Sequence, residues 1–182
     1  KEGDEIIVPS FTFIATAMTP SYVGAKPIFA DIEDETLGLN PDDVLEKITN
    51  KTKAILPIHY GGIPCKIKEL KEIADDYNLV LIEDAAEAFG ARVDNKNVGT
   101  FGDSAIFSFC QNKIFTTGEG GCITTNNKKL YEKLKLIVSY GRISEGNHFA
   151  GQSKTDYVDM GYNWRLSTIL ASLGISQLNK VD

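Results

Sequence analysis

Apolar positions along the chain follow two patterns. Short continuous or alternating runs suit strands, and runs at three- and four-residue spacing suit helices. Residues 5–8 form a first short strand, closed by Pro9. A helix is predicted over residues 12–23, with Pro20 expected to kink it or end its first part. Gly24 punctuates, and residues 27–32 are the next strand. Asn40-Pro41-Asp42-Asp43 combines a cap residue, a proline at the first helical position and acids in the first turn. The helix it starts is expected to run to about Ile48. A strand follows over 53–59, with Pro57 weakening its end. Ile67, Leu70, Ile73, Ala74 and Tyr77 then recur at helical spacing up to Asn78. Residues 79–84 read LVLIED, a continuous apolar run ending in two acids. Such a run suits a parallel strand covered on both faces. Residues 91–98 are predicted to form a hairpin about Asp94-Asn95-Lys96-Asn97. Strands over 104–109 and 122–125 follow, then a helix marked by Leu130, Leu134, Ile137 and Val138 that stops near Gly141. Residues 142–160 show no period and are expected to be a loop. Leu166, Ile169, Leu170 and Leu173 mark a last helix. Strands alternating with helices predict an α/β architecture, a mostly parallel sheet flanked by helices.

Composition narrows this picture. The 182 residues suit one domain, with 42% hydrophobic and 24% charged residues, enough for one sizeable core. A net charge of −6 argues against a general nucleic-acid binder, whose footprint is basic. No apolar run approaches the ~18 residues of a membrane span, and the start of the chain does not resemble a signal peptide. Cys65, Cys110 and Cys122 form no metal-binding spacing and are expected to be reduced, mostly packed thiols of a cytoplasmic protein. His59 and His148 are too far apart in sequence for a local metal motif.

Two stretches carry candidate chemistry. The first, FSFCQNKIFTTGEGG over 107–121, sets Lys113 between two strand-like runs. A desolvated lysine loses its proton readily and attacks carbonyls to form a Schiff base; a lysine at a strand end with its ammonium in water is the alternative. The second is Asp84, at the carboxyl end of the 79–84 run, where ligands bind in open α/β sheets. Small residues after it, Ala85, Ala86 and Ala88, leave room for a flat ring. Pyridoxal phosphate needs a carboxylate at its pyridine nitrogen and a lysine at its aldehyde, and Asp84 with Lys113 is able to supply both. Asp84 serving only as a helix cap is the alternative. The glycines at 118, 120 and 121 permit a tight loop beside the lysine but match no dinucleotide fingerprint.

EDAAEAFG at 83–90, FGDSAIFSF at 101–109 and Lys113 followed by GEGG at 118–121 resemble the DegT/DnrJ/EryC1/StrS family of sugar aminotransferases, of the aspartate-aminotransferase fold type I. The resemblance extends over GDEIIVPSFTFIATA at 3–17, GAKPIFADI at 24–32, TKAILPIHYGG at 52–62 and GYNWRLSTILASLGISQL at 161–178. It implies that residues 1–182 are most of a large cofactor-binding domain. An amino-terminal segment with a Ser/Gly/Thr phosphate-binding turn and a carboxy-terminal small domain are expected to lie outside it.

The resemblance also implies roles. Lys113 forms the Schiff base with pyridoxal 5'-phosphate and then acts as general base and acid. Asp84 holds the pyridine nitrogen protonated, and Ala86 packs flat against the ring. Ser108 contacts the cofactor phosphate, a small residue alternating in a strand being the alternative. Phe13 sets an aromatic face on the ring, with Phe11 its rival and core packing the alternative for both. Glu87 stands where the commonest family motif has glutamine; glutamate occurs in relatives that aminate the C4 position of nucleotide-linked sugars, and a solvated acid in the first turn of a helix is the alternative. Asn163 reaches the cofactor phosphate of a dimer partner, or caps the last helix, or both. His59 satisfies backbone groups. The implied activity is transamination of a nucleotide-linked keto sugar at C4 or C3, with glutamate as amino donor, by a homodimer with shared sites. A sugar dehydratase of the same family carries histidine in place of the lysine, so Lys113 argues against it. A non-catalytic regulatory or scaffold protein is opposed by the intact set of Asp84, Ser108 and Lys113. The piece alone is expected to bind cofactor poorly if the absent segments are needed.

Overall fold

The computed structural model describes residues 1–145 and 154–181. Its first strand, β1 (Glu5–Pro9), lies beside β2 (Lys26–Ala30) and β3 (Thr52–Ile55), and both neighbours run parallel to it. Next come β4 (Val80–Asp84) and β7 (Ser104–Ser108), again parallel, and then β8 (Gly121–Thr124), antiparallel to β7. The six-stranded sheet therefore has the order β2-β1-β3-β4-β7-β8 and is mostly parallel, as the alternation of elements predicts.

Side chains alternate between the two faces of the sheet. Ile7, Ile55 and Leu81 point to one face and meet α2 (Pro41–Lys47) and α3 (Ile67–Asp76), burying Val44, Ile67, Leu70, Ile73 and Ala74. Each fully buried aliphatic side chain here contributes about 1.5–3 kcal/mol. Asn40 caps α2 through its side-chain oxygen, which accepts from the Asp42 amide at 3.0 Å. On the opposite face Val8 and Leu56, with Ile6 and Ile82 beside them, pack on Ala17 of α1 (Ile14–Tyr22). That face is covered only in part among the described residues, and the uncovered part forms a cleft.

Several sequence expectations shift. Helix α1 starts at Ile14 rather than residue 12 and runs on through Pro20. Pro20 has no N–H for the Thr16 carbonyl, and the Thr19 hydroxyl donates to that carbonyl instead at 3.2 Å, so the break is patched. The hairpin at 91–98 forms with β5 (Arg92–Val93) and β6 (Lys96–Asn97) about Asp94 and Asn95, both at positive φ. The expected loop at 142–160 instead contains an antiparallel pair, β9 (Arg142–Glu145) and β10 (Lys154–Tyr157). Ile143 and Tyr157 on its arms are exposed, and they imprint no apolar period on the sequence. His148 lies outside the described residues. After α4 (Lys128–Ile137), the last helix, α5 (Thr168–Leu178), starts later than Leu166. Of the cysteines only Cys65 is packed; Cys110 is half-buried and Cys122 exposed, all three free. Burial pushes the Cys65 thiol above the range of a reactive thiol, and the nearby Glu83 carboxylate adds to the rise.

Candidate active site

The cleft lies at the carboxyl ends of β1, β4 and β7 and encloses about 640 Å³. Its walls include Phe13, Asp84, Ala86, Glu87, Ser108 and Lys113, so six side chains singled out in the sequence meet in one place. Asp84 ends β4 and is buried. One carboxylate oxygen accepts the Thr16 hydroxyl of α1 at 2.7 Å, and Thr16 in turn accepts from Thr12 at 2.7 Å. The other oxygen accepts the Ala86 amide at 3.1 Å. The carboxylate thus does cap the turn after the strand, while its bond to Thr16 ties it to the cleft wall. Thr16 was not singled out in the sequence, because a threonine in an apolar helix carries no signal of its own.

Lys113 sits on the loop between β7 and β8. Ser108 pairs with Gly121 at the end of the ladder, and the Phe109 amide donates to the Gly120 carbonyl at 2.8 Å, closing the neck of the loop. The loop is pinned from inside by Phe115, 5% exposed, which stacks on Phe89 at 5.0 Å and meets Phe109 edge-on at 4.7 Å. The Lys113 ammonium emerges into the cleft 3.3 Å from Glu87 Oε1. Glu87 Oε2 accepts the Gly61 amide at 2.8 Å. Gly61 lies in the single 3₁₀ turn Tyr60–Gly62 at φ +59°, a left-handed conformation that suits glycine. Glu87 lies in a turn and not in the first turn of a helix, and it faces the lysine.

Ser108 ends β7, and its hydroxyl oxygen accepts the Cys110 amide at 3.3 Å, leaving its proton free to donate. Phe13 immediately precedes α1 and is 69% exposed on the cleft rim, whereas Phe11 packs against Tyr60 at 4.5 Å. Asn163 is not part of the cleft. It bridges to Ser139 after α4 and its side chain is exposed. It does not cap the last helix either: Ser167 does, its hydroxyl accepting the Leu170 amide at 3.2 Å.

Beneath the cleft lies a buried pair that the sequence shows only as the first acid of ED and a strand-end histidine. Glu83 and His59 are both fully buried, with Nε2 of His59 3.1 Å from Glu83 Oε2. The Cys65 amide donates to Nδ1, so Nε2 carries the proton toward Glu83. Glu83 also accepts the amides of Gly99 at 2.6 Å and of Phe101 and Gly102 at 2.7 Å each. Burial pushes its carboxyl pKa up, but the bonds from His59, Gly102 and Gly99 outweigh burial and hold it below the usual carboxylate range.

Fold and cleft define the class: an α/β domain that presents a lysine and a buried carboxylate together at the carboxyl ends of its strands. The chain belongs to the DegT/DnrJ/EryC1/StrS aminotransferase family, whose model it matches over residues 1–182. It is 44% identical over 186 residues to GDP-perosamine synthase of Escherichia coli O157:H7, covering 100% of this chain and 48% of the relative. Among solved structures it is similar to an aminotransferase from Psychrobacter cryohalolentis, with a TM-score of 0.91 and 38% identity over 98% of this chain and 46% of the other. It is also similar to the PLP-form of Spr1654 from Streptococcus pneumoniae, with a TM-score of 0.87 and 30% identity over 99% and 50% of the two chains. The chain spans about half the length of the curated relatives it matches. The donors in the cleft fit pyridoxal phosphate: an amine at Lys113, a carboxylate at Asp84, a hydroxyl at Ser108 and apolar walls at Ala86 and Phe13.

Proposed function

We propose that the chain is most of the large cofactor-binding domain of a pyridoxal-phosphate-dependent aminotransferase that acts on a nucleotide-linked keto sugar. The observation that carries this reading is the convergence of Lys113, Asp84 and Ser108 from three segments on one cleft. The sugar substrate is supported by the name of the E. coli relative, and the cofactor by the PLP-form of the S. pneumoniae structure. When bound, the cofactor supplies an aldehyde for an amine and a ring able to delocalise negative charge.

This chain's residues do the rest. The Lys113 amine would hold the cofactor through its aldehyde, and the free amine would be the base and acid that moves the proton at the amino-bearing carbon. The Asp84 carboxylate, fixed by Thr16 and the Ala86 amide, keeps the ring nitrogen protonated. The Ser108 hydroxyl donates to the phosphate. Phe13 and Ala86 would line the ring. Glu87, where the commonest motif has glutamine, favours amination at C4 over C3, with glutamate as amino donor. A homodimer in which Asn163 serves the neighbouring site completes the reading, and three free cysteines suit a cytoplasmic setting.

The test is made on full-length protein. It is expected to be yellow, and borohydride is expected to fix the cofactor onto Lys113, as peptide mass spectrometry would show. Lys113→Ala is expected to abolish amination across a panel of keto nucleotide sugars while leaving the fold intact by circular dichroism. Label on a different lysine would overturn the reading.

A further inference from the structure

We propose that Glu83 and His59 are positioning residues that act on Lys113 from beneath the cleft, through the Tyr60–Gly62 turn and Glu87. The proposal rests on reading Lys113 as the reactive amine. Four links connect the buried pair to that amine. Glu83 holds Nε2–H of His59 at 3.1 Å. His59 starts the turn: its backbone amide donates to the Asp84 carbonyl at 3.0 Å, and its carbonyl accepts the Gly62 amide at 3.3 Å. Gly61, within that turn, aims its amide at Glu87 Oε2 at 2.8 Å. Glu87 Oε1 meets the Lys113 ammonium at 3.3 Å.

The cost of the arrangement argues for more than packing. Two ionisable side chains with no exposure are placed where apolar residues of similar volume often serve stability as well or better. What an apolar pair would not give is a fixed direction for the Gly61 amide, because both ring nitrogens of His59 are engaged, one by Glu83 and one by the Cys65 amide. A ring held at both nitrogens resists rotation, and this favours one orientation of the turn it opens. The Glu87 carboxylate is therefore held with one oxygen on the turn and the other on the lysine. An amine that donates to a carboxylate at 3.3 Å is held back from other partners, so this chain of contacts sets how freely Lys113 reacts.

The test measures the amine itself. Cofactor-free full-length protein is treated with trace acetic anhydride, and labelling of Lys113 is followed by peptide mass spectrometry against exposed Lys128 as internal reference. Glu87→Gln is expected to raise Lys113 labelling by about two- to five-fold, the range of a partly exposed ion pair. His59→Ala is expected to raise it similarly. His59→Gln, which keeps a donor for Glu83, is expected to stay near wild type. In the Glu87→Gln background His59→Ala is expected to add nothing to labelling, although it still lowers the melting temperature. If His59→Ala does not fold, Glu83→Asp, which keeps the charge but draws it back by one methylene, carries the same expectation. Lower melting temperature with unchanged Lys113 labelling would reduce the pair to a scaffold. An additive rise in the double variant would show that the influence does not pass through Glu87. Neither cofactor nor sugar enters the measurement, so failure to aminate any sugar and failure of this linkage are separately visible.

Discussion

Asp84 is held from two sides, by a hydroxyl from α1 and by an amide of the turn that follows its own strand. Replacing it with asparagine keeps the size and removes the charge. Turnover of the full-length enzyme is expected to fall by about 10²- to 10³-fold, the scale of losing one preorganised electrostatic contact, while cofactor is still partly retained through its phosphate. Absorbance of bound cofactor beside steady-state turnover checks this, and unchanged turnover would remove Asp84 from the site. That Asp84 and Lys113 meet in one cleft was legible because each sits in an ordered motif beside a strand-like run. Thr16 and Gly61 were not. One contributes a hydroxyl indistinguishable in sequence from any helix threonine, and the other a backbone amide that every residue but proline possesses. Contacts across 68 and 26 residues leave no local trace.

At the scale of elements, Glu83 ties β4 to the 99–102 segment and to the turn after His59. Its folded pKa lies below the unfolded value, so the stability it contributes is fully present above about pH 4.3 and is lost as pH falls through the folded value. Glu83→Gln places an amide N–H₂ against backbone donors and is expected to cost about 3–5 kcal/mol at pH 7. Urea midpoints from pH 7 to pH 3 check both points: the wild type is expected to lose stability below pH 4.3 more steeply than the variant. Equal slopes would mean that Glu83 is not an acid-sensitive link. The same scale shows which elements declare themselves. Asn40-Pro41-Asp42-Asp43 marked α2 because cap, proline and acids are local chemistry. The β9–β10 pair did not, since its apolar residues Ile143 and Tyr157 are exposed and carry no alternation that the sequence shows.

At the scale of the molecule, the segment between β10 and α5 exposes several apolar side chains. Tyr157, Met160, Tyr162, Trp164 and Ile169 are all more than half exposed, and Tyr162 stacks on Trp164 at 4.1 Å. Asn163 lies within this segment and does not line the cleft of its own chain. Mixing Asn163→Ala chains with Lys113→Ala chains tests the shared site. Each homodimer is expected to be weak or dead, while a mixed dimer regains one working site of its two. No recovery after subunit exchange is confirmed by mass would confine Asn163 to its own chain. The edge position of β8 has a further consequence, in time and not in space. Among the described residues, the loop bearing Lys113 hangs from the outermost strand of the sheet, while Ile55 and Leu81 lie on inner strands. Outer strands open in fluctuations far smaller than global unfolding. Amide hydrogens of 121–124 are expected to exchange for deuterium well before those of Ile55 and Leu81, with equal exchange refuting the order. On the proposed reading of Lys113, warming this chain is expected to displace the lysine while the inner strands remain folded, so that loss of the reactive amine precedes melting.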